Sequence, residues 1–127
     1  MNEKVMLFDY DFENDILFFH LAKDYNYDFS EFLDKLIVMD FNKNKIPIGL
    51  EIIDASKVFK CKKYLLNNIT QGSINLRVRE KKIEIKIDLI IEVHKKPTSI
   101  PINVIGNNDL NIPNFVSEIE IASVSGK

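Results

Sequence analysis

The sequence predicts an α+β fold that is mainly β: an antiparallel meander of about four strands, one amphipathic helix over about 56–68, and a second β-rich segment of three to four strands. Three observations carry this. Leu36 to Phe41 and Ile46 to Ile53 are apolar runs joined by the polar segment Asn42-Lys43-Asn44-Lys45, and two strands around a short polar loop make a hairpin. Residues 83–93 alternate strictly, with Ile83, Ile85, Ile87, Leu89, Ile91 and Val93 on one face, and a period of two means strand. Between these stretches the spacing lengthens to three or four residues, through Val58, Cys61, Leu65 and Ile69, as on one face of a helix.

Taken in order, Val5 to Tyr10 reads as a first strand and Ile16 to Leu21 as a second, with Asp11-Phe12-Glu13-Asn14-Asp15 as their turn. Alternation puts Leu17, Phe19 and Leu21 on the core face and Phe18 and His20 on the other. Lys23 to Asp34 interleaves Tyr25, Tyr27, Phe29 and Phe32 with acids and reads as a loop with a helical turn from Ser30. The hairpin follows, its first arm rich in residues that fit a pleated surface. Asp54 or Ser56 is placed to cap the next helix. Lys57, Lys60, Lys62 and Lys63 fill that helix's solvent side, and it ends near Asn67-Asn68 before Gly72. Ile74, Leu76 and Val78 then alternate with Asn75, Arg77 and Arg79, and Glu80-Lys81 turns into the long strand. At roughly 3.3 Å per residue that strand spans about 36 Å, against a usual length of about 5–6 residues. It must bend, carry a bulge, or pair with more than one neighbour. Pro97, Pro101 and Pro113 leave a short strand near Ile102 to Ile105, a loop at Gly106-Asn107-Asn108-Asp109, and a last strand from Phe115 to Ala122.

With 127 residues the chain is the size of one domain, 1–127, with subregions 1–70 and 71–127. Hydrophobic content of 46% beside 28% charged residues excludes a disordered chain. No apolar run reaches the length that crosses a bilayer, and MNEKVMLFDYDFEND lacks an apolar signal core. The single Cys61 has no internal disulfide partner, so the expected compartment is the reducing cytoplasm. The net charge of −2 hides blocks: residues 1–54 hold 12 acids against 5 bases, and residues 57–86 hold 9 bases against 2 acids. Such blocks mark surfaces that face each other or a partner.

Tyr10, Asp11, Glu13, Asp15, Leu17, Phe18, Leu21, Asp40 and the run Gly49-Leu50-Glu51-Ile52-Ile53-Asp54-Ala55-Ser56 resemble a prokaryotic family known as Domain of Unknown Function 2283. The resemblance covers about residues 5–60; Phe12 stands where the family usually has proline, and Lys45 where a hairpin glycine is common. It implies a fold more than a chemistry. Genes of the family often sit near those of small toxin-like proteins, so it also implies an antitoxin-like partner role. The second half lies outside the pattern.

Candidate chemistry is sparse. Asp9, Asp11, Glu13 and Asp15 have the alternation of a calcium loop, but Asn14 occupies the position for the turn glycine and His20 that for the terminal glutamate. His20 and His94 have no second metal ligand at a recognisable spacing. Cys61 is flanked by lysines, which would lower a thiol pKa, and reads more simply as a partly buried, inert residue. Glu51 and Asp54 have the types of an acid–base pair, and read as strand surface and helix cap. No phosphate loop, nucleophile elbow or metalloprotease helix is present. Catalytic, cofactor-binding and metal residues are therefore expected to be absent.

The basic block, Lys57, Lys60, Lys63, Arg77, Arg79 and Lys82, would attract phosphate backbones without reading sequence, although no nucleic-acid-binding motif accompanies it. The apolar face Ile83, Ile85, Ile87, Leu89 and Ile91 outsizes its preceding partner strand, which predicts a homodimer through the second half. The function expected is a non-catalytic protein-interaction module, an antitoxin-like partner of a small toxin. A nucleic-acid-associated protein using the basic block, and an enzyme or small-ligand binder without a recognisable motif, are the alternatives.

Overall fold

The computed structural model describes residues 4–23 and 26–123. Five strands come first: β1 (Lys4–Asp11), β2 (Ile16–Leu21), β3 (Phe29–Asp34), β4 (Ile37–Phe41) and β5 (Pro47–Ile53). A short helix α1 (Ala55–Val58) and a 3-10 helix (Lys63–Asn68) follow. Four longer strands finish the chain: β6 (Ile69–Val78), β7 (Lys82–Val93), β8 (Lys96–Asn107) and β9 (Phe115–Ser123). The fold is α+β and mainly β, as the alternating runs predict.

All nine strands form one sheet in the order β3-β4-β5-β2-β1-β9-β6-β7-β8. The last strand makes it continuous: β9 runs parallel to β1 on one side and antiparallel to β6 on the other. The sheet curls until its two edge strands meet. A Cβ on Gly106 of β8 would lie 2.9 Å from the Leu33 carbonyl oxygen of β3, so the seam closes there because residue 106 has no side chain. Inward positions supply the core, with Leu17, Phe19, Ile37, Met39, Leu50 and Ile52 from the first half and Ile74, Leu76, Ile85, Ile87, Leu89 and Ile119 from the second. Each large aliphatic side chain buried in this way contributes roughly 1.5–3 kcal/mol.

Four expectations are corrected. The stretch Lys23 to Asp34 is not a loop with a helical turn, since Phe29–Asp34 pairs with β4 as an edge strand. The helix over about 56–68 is broken: α1 ends by Phe59, and Lys60 takes a left-handed φ of 57°. Phe59, just after α1, and Leu66, in the 3-10 helix, are both buried in the core. Asp54 sits at the N-cap of α1 but makes no side-chain bond there. Instead Asp15, from the β1–β2 turn, accepts the Ser56 amide at 3.0 Å. Finally, the strand near 102–105 runs through Lys96–Asn107 and pairs with β7 along its whole length. Proline lacks a donor and is tolerated in a sheet edge where its nitrogen faces outward. Pro97 and Pro101 are four residues apart, so both fall in that phase.

β7 therefore lies between β6 and β8, which is how so long a strand is satisfied. Ile83, Ile85, Ile87, Leu89 and Ile91 are each 0–3 % exposed. The cover that the sequence sought in a second copy comes from the chain itself.

Candidate functional site

The residues of the family resemblance meet at one end of the sheet. Tyr10 Oη donates to Asp15 Oδ1 at 2.6 Å, and Ser56 Oγ donates to Asp15 Oδ2 at 2.7 Å. With the Ser56 amide and the bond from the Ala55 amide to the Asp15 carbonyl (2.9 Å), this ties the first hairpin to α1 across 41 residues of sequence. Burial pushes the Asp15 carboxyl up, but the Tyr10 and Ser56 bonds outweigh it and leave the pKa lowered. Tyr10 is raised by burial and then by its bond to Asp15. Asp11 is spent locally on the Asn14 amide and side chain, at 3.1 and 2.8 Å, and Asn14's side chain holds its pKa low. These carboxylates cap and turn the chain, a structural reading of motif residues that resemble a cation loop. Among the described residues no group of three or more His, Cys, Asp and Glu is arranged to hold a metal.

The other singled-out groups are dispersed. His20 Nδ1 lies 3.1 Å from the Leu21 carbonyl oxygen on β2, while His94 occupies the β7–β8 turn with φ 52°. Cys61 is half-buried, and burial, followed by the charge of Asp15, raises its thiol pKa. That is the reverse of the shift a lysine-activated thiol would have. Glu51 faces Asp40 rather than Asp54: burial, then the Asp40 charge and hydrogen bond, raise its carboxyl pKa.

The basic block is divided. Lys57, Lys60 and Lys63 flank the helical end, where β6 begins after Asn68. Arg77, Arg79 and Lys82 surround the β6–β7 turn at the other end of β6, nine residues away or roughly 30 Å at strand rise. Lys63 stands over the exposed Phe12 ring, 4.6 Å from its centroid, and Lys82 Nζ donates to Asn107 Oδ1 at 3.2 Å.

A recess between Met6, Met39, Leu50, Ile74, Leu76, Ile85 and Ile119 measures about 10 Å3, and one at the seam, reaching Phe41, Ile83 and Asn108, measures about 50 Å3; both are far below the roughly 300–1,000 Å3 of a ligand pocket. Chemistry and recognition therefore fall to the outer walls. The wall of β6 to β9 is polar: Ser73, Asn75, Lys86, Asp88, Pro101 and Asn103 line a shallow groove of about 450 Å3. Its exposed apolar residues, Ile105 and Val116, are held apart in register by Glu84 and Arg77.

The wall of β1 to β5 differs. One outward row reads Asp9, Phe18, Glu51, Val38, Phe32 across β1, β2, β5, β4 and β3. The next reads Leu7, His20, Gly49, Asp40, Ser30. Phe32 is 66 % exposed, whereas Asp40, also facing outward, is only 5 % exposed. Ser30 Oγ donates to Asp40 Oδ1 at 2.6 Å, and Tyr27 Oη lies 2.9 Å from Ser30 Oγ. The sequence hid this surface because its members are spread over five strands and adjoin only through the register.

Comparison with known proteins follows this division of the chain. The family described as "Protein of unknown function (DUF2283)" matches residues 7–56, the part that holds the Tyr10–Asp15–Ser56 tie and the first wall. A curated protein of Methanosarcina mazei, named "Putative hypoxanthine phosphoribosyltransferase", is 31% identical over 117 residues, covering 92% of this chain and 94% of its own length. No solved structure matches the chain. The likeness to the Methanosarcina protein extends over both walls, and the chain belongs to the DUF2283 family of proteins of unknown function.

Proposed function

We propose that this protein is a non-catalytic interaction module that binds a protein partner on an outer wall of its sheet. The observation that carries the reading is the outward row in which Phe32 is 66 % exposed and Phe18 half-buried, with Val38, 8 % exposed, between them. Apolar side chains outside a completed core mark a contact surface more often than a catalytic one. The antitoxin-like role implied by the family resemblance fits such a module: a compact scaffold offering one wall to a small protein. The test is capture from extracts of the native organism at low salt, with and without nuclease. A protein that survives nuclease treatment supports the module; nucleic acid alone, released by salt in proportion to the phosphates contacted, overturns it and favours the basic residues.

The Methanosarcina relative brings a second reading, transfer of a phosphoribosyl group to a purine base. Lys57, Lys60 and Lys63 at the helical end are the side chains that would meet a phosphorylated donor. Incubation with hypoxanthine and phosphoribosyl pyrophosphate, followed by chromatography for the nucleotide, tests it. Turnover lost in Lys60→Glu would put the enzyme first; the module reading expects no nucleotide.

A further inference from the structure

We propose that the outer wall of β1 to β5 is the docking face, and that its partner presents a strip of alternating basic and apolar side chains. The inference rests on the module reading and names the surface and the chemistry of its occupant. Two neighbouring observations point to this wall. In the row Asp9, Phe18, Glu51, Val38, Phe32, carboxylates alternate with apolar groups across five strands, and Ile16 pairs with Ile53 to extend the apolar area on the same face. On the other wall the outward positions of β6 and β7 include Ser73, Asn75, Arg77, Glu84, Lys86, Asp88 and the half-buried Ile90, and its two exposed aliphatics, Ile105 and Val116, are isolated.

Charge then selects the occupant. Residues 1–54, which include the whole wall, hold 12 acids against 5 bases. Asp9 is exposed on the wall, and Glu51 and Asp40 face outward on the neighbouring strands. An acidic, nucleic-acid-like or membrane-like partner is repelled there, while a lysine or arginine stem can lie along Phe32 or Phe18 with its charge toward Asp9 or Glu51. The chain makes such a contact within itself, where the Lys63 ammonium stands over Phe12 beside Asp11 and Asp15. Cation–aromatic pairs of this kind strengthen when a partner removes water from them.

A short fluorescein-labelled peptide of alternating Lys and Leu serves as the probe, with Glu–Leu and Lys–Ser peptides as controls, read by fluorescence anisotropy. The Lys–Leu peptide binds, and each control binds at least about fivefold more weakly. Phe32→Ser and Asp9→Lys, both at exposed positions, weaken the Lys–Leu peptide by at least about fivefold, equivalent to about 1 kcal/mol. Val116→Ser and Glu118→Lys on the other wall leave it unchanged. Equal binding of the Glu–Leu peptide, no binding of the Lys–Leu peptide, or loss only in the Val116 and Glu118 variants overturns the proposal. A protein captured from native extract equally well by wild type and by the Phe32→Ser, Asp9→Lys double variant also overturns it, while leaving the module reading intact. An extract that yields no protein with either chain removes the module reading itself.

Discussion

Replacing Asn108 by Ala removes the post that fixes the β8–β9 loop. Asn108 is 7 % exposed. Its Nδ2 donates to the Arg79 carbonyl at 2.7 Å and the Ile112 carbonyl at 2.9 Å, and its Oδ1 accepts the Ile112 amide at 2.9 Å. One side chain thereby binds the β6–β7 turn to the loop that carries buried Ile112. A net hydrogen bond contributes about 0.5–1.5 kcal/mol, and a buried group left unpaired costs about 1–3 kcal/mol. Three bonds, two of them fully buried, give a loss of about 2–4 kcal/mol, since water can enter beside Arg79 and relieve part of it. For a chain of this size roughly 4 °C follows from each kcal/mol, so Tm falls by about 8–16 °C. Urea unfolding should show the midpoint falling with an unchanged slope. Asn108→Asp adds a signature. It keeps the acceptor for Ile112 but sets a carboxylate against two carbonyls, so its damage is greatest at neutral pH and eases as the acid is protonated. A Tm change under about 2 °C in Asn108→Ala, below roughly 0.5 kcal/mol, would refute the reasoning and mean that burial of Ile112 alone holds the loop.

Three further outcomes follow from the same geometry. The Glu51 carboxyl is raised above its ordinary 4.5, so its ionisation is penalised in the fold, and stability falls as pH rises from that value through the raised one. Glu51→Gln removes this loss, leaving Tm near wild type in acid and at or above wild type at about pH 8. A Cβ on Gly72 would stand 2.5 Å from the Asp88 carbonyl oxygen, so Gly72→Ala forces β6 from β7 and costs about 1–3 kcal/mol by chemical denaturation. Because the β7 aliphatics are internal, light scattering should give a mass near the 14.8 kDa of one chain. Ile87→Glu should then abolish folding by circular dichroism; a stable, folded single chain from that variant would contradict the core assignment.

The first hairpin, the 36–53 hairpin and the long strand β7 were legible because their apolar residues alternate cleanly and their turns are polar. What escaped was decided by neighbours. β3 lies at the edge, with Ser30, Glu31 and Phe32 all exposed, so no buried face imprints a period of two on it. β8 was cut short because Pro97 and Pro101 read as breaks, although their common phase on an outer edge leaves the ladder to β7 intact. A β8 confined to about 102–105 would leave β7 uncovered, and the homodimer expectation rests on that short strand, whereas Lys96–Asn107 pairs with the whole of β7. Asp15 as the true cap of α1 could not be found locally, because the cap comes from 41 residues earlier. The candidate wall needed the register of four strand pairs before Asp9 and Phe32 could be seen in one row.

The central question is where a partner touches the sheet. Amide chemical-shift mapping of the isotope-labelled protein, titrated with the Lys–Leu peptide, measures this. The predicted result is a contiguous set of perturbed amides at Phe18, Ser30, Phe32, Val38 and Glu51, with Asn75, Lys86 and Asn103 unmoved. Perturbations confined to the wall of β6 to β9, or to the helical end around Lys57 and Lys60, would contradict it.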